Sequence, residues 1–517
     1  MLSPLRRAAR PLLAALVVWP AWAMAQPASP APDALAAAAV RSDLVLLRGA
    51  LEAYHPALGA YGQRADALAH FDSLDAALSA RRRPVPRREA AALVARALAA
   101  VRDGHTRINP LNQPEPLRDA LWGGRVVLPF TFLVVGEPGA ERLVVVRSLA
   151  ERPPLPPGTE VLAVDGLPVA RWLDRLQALS PGDGYGTDGL RRARLGTSRG
   201  DLAEGAWPLA DVLEPLAFPD LAERAVLRVR RAGATSRVVV ERLTRAERTE
   251  RLRAAGGLEA EDERAWTHRM VDSETGYLRL GSFLSYRFSE PADTLLGRAL
   301  SDLRRRGARR LILDVRGVQG GTLGGERVAR YLASRPLPCL DESIEIATAR
   351  PDSVYFPYLA SMGQGDGWKR PLPPEAVRPL GDGRFRLLAA PPCGASSPPD
   401  GAWDGPVAVL ADAHNESATF RLLRAVRQHG LGALVGRPAG GNVAGTTGGV
   451  FVLLRLPRTG LAVDVPLFAY RPAAGADGGA AAGGPLQPDV PVTWTAEDVA
   501  RGRDPDLEAA RHWLEGR

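Results

Sequence analysis

Three short stretches of this sequence contain residues that can do covalent chemistry. In the first, Ser417 follows the apolar run "VAVLA" and opens an amphipathic stretch, so it stands where a strand would turn into a helix. The free N–H groups at a helix N-terminus favour a developing negative charge. Serine is also a preferred helix N-cap. The position predicts a nucleophile or a cap, and one turn can accommodate both roles.

The second stretch is "DVRGVQGGTLGG", in which an apolar strand runs into Gly320 and Gly321. Backbone N–H groups that no side chain shields are suited to an oxyanion hole, with one donor in this turn and another at Ala418. A phosphate cradle is the alternative. The glycine spacing fits neither the Walker pattern nor the dinucleotide-binding pattern.

The third stretch is "RDGHTRINP", where His105 lies just beyond a predicted helix end at Gly104. A lone histidine either acts as a base near neutral pH or makes structural hydrogen bonds. His414, three residues before Ser417, is a rival base, and we expect it to be a solvated loop residue.

Hydrophobic periodicity predicts the elements that must position these residues. Residues 35–115 read as an N-terminal helical region, 120–245 as a β-rich domain, and 270–517 as an α/β core with an irregular insertion at 347–402. The segment "LPPGTEVLAVDGLPV" is typical of a PDZ-like module, which captures a peptide as an added strand. A generic small β-domain is the alternative.

Composition narrows the class of protein. The 517 residues are 46% hydrophobic and 24% charged, as in a globular protein of several domains. The net charge of +8 comes from scattered arginines rather than a basic stripe with interleaved aromatics, so we do not expect nucleic-acid binding. Cys339 and Cys393 either form a disulfide or remain separate thiols.

The first 25 residues have the pattern of a secretory signal. Three arginines precede a short apolar run and an "AMA" cleavage site, which predicts a periplasmic or secreted protein. The apolar run is too short to span a bilayer comfortably, so we expect no stable membrane insertion after cleavage.

Taken in order, "DGHT", the PDZ-like segment, "GYLRLGSF", "LILDVRGVQGG", "SAT", "GALVGRPAGGN" and "QPDVPV" resemble the tail-specific and tricorn-type serine peptidases. That family includes C-terminal processing proteases and interphotoreceptor retinoid-binding proteins. The resemblance implies a crotonase-like/ClpP-like α/β core with Ser417 as nucleophile. It also implies an oxyanion hole from the backbone of Gly320, Gly321 and Ala418. The implied substrates are peptides or protein C-termini, cleaved through an acyl-enzyme without cofactor or metal.

The family uses two kinds of base. In processing-type members a lysine lies 25 residues after the serine, and here that position is Asn442. A glutamine usually lies four residues further on, and here that position is Thr446. The only lysine, Lys369, precedes the nucleophile, so a Ser-Lys dyad is not expected. Tricorn-type members take a histidine from the helical region, which His105 matches. No third catalytic group is evident, and Asp103 is the local candidate.

Two departures from the family pattern leave an alternative open. Its "S-A-x-E" ends here in Phe420 and its "D-x-R-x-N" ends in Val318, although Asp314 and Arg316 are kept, as buried scaffolding in our interpretation. The alternative is a weak or inactive member that binds peptides or small apolar ligands. Acyl-CoA chemistry on a crotonase-like core is a third possibility, which the secretory signal argues against.

Overall fold

The computed structural model describes residues 33–58, 64–136, 139–184, 187–199, 201–388, 396–473 and 483–517. The predicted signal at 1–25 and Cys393 lie outside these ranges, whereas Cys339 is described and is not a free thiol. Within these ranges, no helix is both long enough and apolar enough to cross a membrane.

The N-terminal region consists of helices packed through their apolar faces. In α1, for example, Val40, Leu44, Leu47 and Leu51 recur at helical spacing and are buried. The third helix ends earlier than predicted, with Arg102 rather than Gly104 in the left-handed cap. The elements are β1 (Ala34–Leu35), α1 (Ala37–Tyr54), α2 (Arg64–Ala80), β2 (Val85–Pro86), α3 (Arg87–Val101) and α4 (Glu115–Trp122).

The second region is built on an antiparallel sheet in the order β3-β4-β5-β8-β9, with β6 paired to β5. It occupies the segment predicted to be β-rich, and its likeness to a PDZ domain stays a prediction. Its elements are β3 (Phe130–Val135), β4 (Arg142–Ser148), β5 (Glu160–Val164), β6 (Leu167–Pro168), α5 (Val169–Gln177), α6 (Asp188–Ala193), β7 (Leu202–Ala203), α7 (Leu209–Ala217), β8 (Arg224–Arg231) and β9 (Ala234–Glu241).

The remainder of the protein forms a mixed α/β region with two sheets. Its elements are α8 (Arg245–Ala254), β10 (Leu258–Glu259), β11 (Trp266–Met270), β12 (Thr275–Leu280), α9 (Ala292–Arg305), β13 (Arg310–Asp314), α10 (Gly325–Ala329), β14 (Glu342–Ile346), β15 (Leu359–Ser361), β16 (Val377–Pro379), β17 (Phe385–Leu387), β18 (Val407–Ala411), α11 (Ser417–His429), β19 (Ala433–Gly436), β20 (Thr446–Arg455), β21 (Ala462–Pro472), β22 (Val490–Pro491), α12 (Ala496–Ala500) and α13 (Pro505–Glu515).

The first of these sheets has the order β11-β12-β13-β18-β19-β22 and is parallel from β12 onward. Its central strands are apolar along their length because helices cover both faces: Leu311 and Leu313 pack with α9 and α11, and Ile312 packs with α13. Strands β13 and β18 are parallel neighbours, with Asp314 opposite Leu410. The turns that follow them therefore emerge at the same edge of the sheet.

The second sheet has the order β15-β20-β21-β14-β17-β16. Three of its short strands come from residues 347–402, so this insertion is not irregular throughout. The long hairpin β20–β21 packs on the helical region, where the buried Asp43 of α1 accepts hydrogen bonds from the backbone of Arg458 and Thr459. The mixed α/β architecture predicted from the sequence is confirmed.

Candidate active site

The turns after β13 and β18 form one hydrogen-bonded unit. The side-chain amide of the buried Asn415 donates to the carbonyls of Val315 and Val318, at 2.6 and 3.2 Å. The hydroxyl of Thr419 donates to the same Val318 carbonyl at 2.7 Å. These bonds fix the glycine turn that follows β13 against the start of α11.

Gly320 packs directly against the backbone of Ser417. A Cβ at Gly320 would lie 2.9 Å from Ser417 Cβ and 2.9 Å from Ala418 N, and the φ of 109° is also unfavourable for other residues. The N–H groups of Gly320 and Ala418 donate to no acceptor among the described residues. Two free donors thus border the serine. Gly321 packs instead on the Phe283 carbonyl.

Ser417 itself has a left-handed backbone conformation, with a φ of 50°. This costs a non-glycine residue about 1–3 kcal/mol, and such strain clusters at functional sites. The helix N-cap is Glu416, and the Ser417 hydroxyl bonds to none of the residues that the structure describes. The turn therefore presents a free hydroxyl at the start of α11, and Ser417 is not the cap.

A buried ion pair anchors this turn on its other side. The guanidinium of Arg194, which follows α6, bonds the carboxylate of Glu416, with Nη2 and Oε2 2.7 Å apart. Both side chains are almost fully buried. Since Glu416 immediately precedes Ser417, the pair ties the strained turn to the second region of the protein.

The loop that carries His105 reaches the same place. A Cβ at Gly104 would lie 3.4 Å from Glu416 Oε1 and 2.9 Å from Asp183 Oδ1, and the Gly104 N–H donates to that Asp183 oxygen at 2.6 Å. The segments that bear His105 and Ser417 are thus in contact. No hydrogen bond joins these two described side chains.

The ring of His105 is oriented by a residue that the sequence did not indicate. Its Nδ1 lies 3.2 Å from Thr447 Oγ1, which in turn donates to Asp103 Oδ1 at 2.7 Å. Because the Thr447 hydroxyl gives its one proton to Asp103, it must accept from His105 Nδ1–H. This leaves the lone pair on Nε2, the form that a base requires.

Asp103 is held in its charged form at the far end of this relay. Its Oδ2 lies 3.0 Å from Nε2 of the buried His55, whose Nδ1 accepts from the Ala57 N–H at 3.2 Å. The proton of His55 is therefore on Nε2 and faces Asp103. Burial raises the pKa of Asp103, but the hydrogen bond from His55 is the largest of the opposing effects, which together hold that pKa well below its usual range.

Burial has opposite effects on two neighbouring groups. It lowers the pKa of His105 below its ordinary value, an effect that the charges of Asp103 and Glu416 only partly reverse. It raises the pKa of Asp183 well above the usual range, and the same two carboxylates add to the rise. His105 is thus a neutral base at pH 7, and the neighbouring Asp183 carboxyl is protonated more readily than usual.

Residues 274–492, which span the sheet from β12 to β22, both turns and the β20–β21 hairpin, match the family model for Peptidase family S41. This match identifies residues 274–492 as an S41 peptidase domain. The protein is a serine-type peptidase, and its substrates are peptides or proteins. No curated protein sequence matches it.

Solved structures of CPAF are similar to this protein in fold. Mature CPAF is 14% identical, the match spans 93% of this protein and 96% of CPAF, and the TM-score is 0.59. CPAF complexed with lactacystin is also 14% identical; the match spans 93% of this protein and 97% of that one, with a TM-score of 0.56. The photosystem II D1 C-terminal processing protease is 18% identical; the match spans 92% of this protein and 97% of that one, with a TM-score of 0.40. The TM-scores show that this protein shares a fold with CPAF. At 14% identity, they do not show a shared substrate.

Asp103, His105 and Asp183 form a cluster in the S41 peptidase whose ligand atoms all lie within 4.8 Å of one another, close enough to hold a cation. Its oxygens already have protein donors: Thr447 and His55 bond Asp103, and the Gly104 N–H bonds Asp183. Through Thr447, Asp103 of this cluster takes part in the orientation of His105.

The position of the processing-type lysine has a structural role here. Asn442 is buried, and its Oδ1 accepts from the N–H groups of Ala444 and Gly484 at 2.8 and 3.1 Å. Its Nδ2 donates to the Asp183 carbonyl at 3.2 Å. Lys369 pairs with Asp366 at 2.9 Å, away from the residues of the site.

His414 is not the solvated residue expected from the sequence. It is buried, with Nε2 donating to the Gly196 carbonyl at 3.0 Å and Nδ1 facing Asp412 at 3.6 Å. The turn folds inward because Asp412 accepts from the His414 backbone N–H. Both ring nitrogens are directed at protein groups, which removes His414 as the rival base.

The scaffolding role expected of Asp314 and Arg316 agrees with their contacts. The Arg316 guanidinium is fully buried and bonds Asp314, Asp504 and Asp506 at 2.7, 2.7 and 2.9 Å. Burial opposes the charge on Asp314, but Arg316 and Arg279 hold its pKa well below the usual range. This network fixes the end of β13, from which the glycine turn departs.

Proposed function

We propose that this S41 peptidase cleaves peptide bonds through an acyl-enzyme, with Ser417 as nucleophile and His105 as base. The observation that carries the proposal is the relay His105–Thr447–Asp103, which sets the tautomer of an imidazole on a loop that packs against the Ser417 turn. A purely structural histidine would not need an Nε2 that has no hydrogen-bond partner among the described residues, on a loop that packs against a strained serine turn.

In the proposed mechanism, the scissile carbonyl lies with its oxygen toward the N–H groups of Gly320 and Ala418. His105 Nε2 takes the proton of Ser417 Oγ as this oxygen attacks the carbonyl carbon. Negative charge then develops on the substrate oxygen, where the two backbone donors stabilise it. No existing hydrogen bond has to break first, because neither N–H group donates to an acceptor in the described part of the protein.

The relay stabilises the charge that forms on the base. As His105 becomes an imidazolium, its Nδ1–H bond to Thr447 strengthens, and the negative charge of Asp103 lies directly behind that hydroxyl. His105 then returns the proton to the leaving amine, and water hydrolyses the acyl-enzyme by the same route. Thr447 is a positioning residue in this scheme, with Asp103 as the charged group behind it.

We also propose that the enzyme works in the periplasm or outside the cell, on peptides or protein C-termini, without an organic cofactor. The signal pattern at 1–25 supports the location. A PDZ-like role of residues 120–245 in holding the substrate strand is part of the same proposal.

A fluorophosphonate probe tests the chemistry on the folded protein. We expect covalent labelling that Ser417→Ala abolishes and His105→Gln slows strongly, whereas Ser285→Ala, at a half-buried serine, leaves it unchanged. Mass spectrometry of the adduct identifies the serine. An adduct elsewhere, or equal labelling of Ser417→Ala, would reject the proposal.

One observation favours a second function, peptide binding without cleavage. The Ser417 hydroxyl and the His105 ring make no hydrogen bond with each other in this structure. The same labelling experiment separates the two: an unreactive but folded protein that binds peptides would be the non-catalytic family member.

A further inference from the structure

A cavity of about 310 Å³ opens beside the proposed oxyanion hole. Its lining includes Gln319, Gly320 and Phe283 as well as Arg107 and Asn109. Since Gly320 belongs to both the cavity and the proposed oxyanion hole, a substrate whose carbonyl is held there continues into the cavity. The cavity therefore receives the substrate next to the scissile bond.

Arg107 differs from the other charged residues that line this cavity in its hydrogen bonding. The guanidinium of Arg107 makes no hydrogen bond or ion pair with any residue that the structure describes. The other lining arginines and carboxylates all have partners: Arg194 with Glu416, Arg199 with Asp314, Asp201 with Arg147, Glu259 with Arg279, Glu261 with Arg287, and Arg316 with Asp504.

The backbone presents Arg107 rigidly to the cavity. The Arg107 carbonyl accepts from the Asp464 N–H of β21 at 3.0 Å. From Thr106 onward, buried and half-buried residues alternate, so that Arg107 lies on the same open side as His105. The nearby Asp464 carboxylate attracts the Arg107 charge but makes its hydrogen bonds with the amide groups of Asn109 and Asn112, at 3.1 and 2.7 Å.

We propose that Arg107 is a specificity-determining residue that binds a carboxylate of the substrate in this cavity. The carboxylate is that of an acidic side chain or of the substrate's own C-terminus, and both present the same two oxygens. A guanidinium pairs with them through two parallel hydrogen bonds. A half-buried guanidinium without a hydrogen-bonded partner also gains more from such a pair than an exposed one. The inference rests on the proposed function for the position of the substrate.

Binding to the Ser417→Ala variant tests this without requiring catalysis. Two pairs of fluorescent peptides are compared by anisotropy: a free C-terminal acid against its amide, and an internal Glu against Gln. We expect the acidic member of one pair to bind about 10- to 100-fold more tightly, the size of a charged hydrogen bond. The pair that shows the preference identifies the source of the carboxylate.

Adding Arg107→Met should abolish that preference, whereas Arg309→Met, at an exposed arginine, should keep it. Arg107→Lys retains the charge without the planar fork, so it should keep part of the preference, and it serves if the Met variant does not fold. Equal binding within both pairs overturns the proposal, as does a loss in Arg107→Met that is equal for both members of a pair. Because the readout is binding, absence of Ser417 labelling would reject the proposed chemistry and leave this test valid.

Discussion

Replacing Thr447 with Val removes one hydroxyl and leaves the shape of the side chain nearly unchanged. The lost group is the one that accepts from His105 Nδ1 and donates to Asp103. In the ground state both His105 and Thr447 are neutral, but in the transition state the imidazolium and the carboxylate face each other through this hydroxyl. A hydrogen bond to a charged group is worth about 1.5–3 kcal/mol. We therefore expect kcat/KM to fall roughly 10- to 150-fold.

The assay compares kcat/KM for a peptide substrate and the rate of fluorophosphonate labelling. Thr447→Ser restores the hydroxyl, so it should return both rates to near those of the wild type. Thr446→Val is the matched control, because Thr446 is an equally buried neighbour whose hydroxyl contacts only the Thr447 carbonyl among the described residues. Its rates should stay near those of the wild type.

The pH profile separates a role in orientation from a role in stability. Without the relay, the protonated form of His105 is less stabilised, so Thr447→Val should move the acidic limb of kcat/KM to lower pH. A wild-type rate in Thr447→Val would refute the reasoning. A Ser variant as slow as the Val variant would show that packing, not the hydroxyl, is what matters.

Three further predictions concern the same site. Gly320→Ala should lower kcat/KM by about 100-fold or more, because its Cβ would lie 2.9 Å from Ala418 N. Gly324→Ala is the control and should be tolerated, since the nearest atom to its Cβ is 4.0 Å away. Similar kcat/KM values for the two variants would contradict this prediction. Burial lowers the pKa of His105 below 6.5, so kcat/KM should rise with pH through a midpoint below that value, and a midpoint above it would count against His105 as the base. Arg194→Met leaves a buried carboxylate unpaired and should cost about 3–5 kcal/mol of unfolding free energy by chemical denaturation; a loss no larger than that of the exposed Arg309→Met would be evidence against the ion pair.

Local pattern was sufficient to locate the turns of the site. Ser417 and Gly320 were identifiable because each follows a buried apolar strand and precedes a helix, and parallel neighbours must release such turns at one edge. The α/β architecture followed from the same periodicity. His105 could be selected only through the family resemblance, since a single histidine after a helix indicates little by itself.

The residues that complete the site left no local signal. Thr447 is an ordinary hydroxyl at the start of a strand, and its partner Asp103 lies more than 300 residues earlier. Asp183 and Arg194 reach the Ser417 turn from the second region through contacts that only folding brings together. The short strands at 359–361, 377–379 and 385–387 lie in a sequence rich in proline and glycine that shows no strand pattern. They form because they pair within the sheet of the β20–β21 hairpin.

The contacts at Glu416 link three parts of the molecule: its own turn in the α/β core, the helical region through Gly104, and the sheet domain through Arg194. A fragment that contained only the α/β core would carry Ser417 without His105. Under the proposed mechanism, cleavage therefore requires all three regions to be folded together, and a partly folded or truncated protein would be inactive.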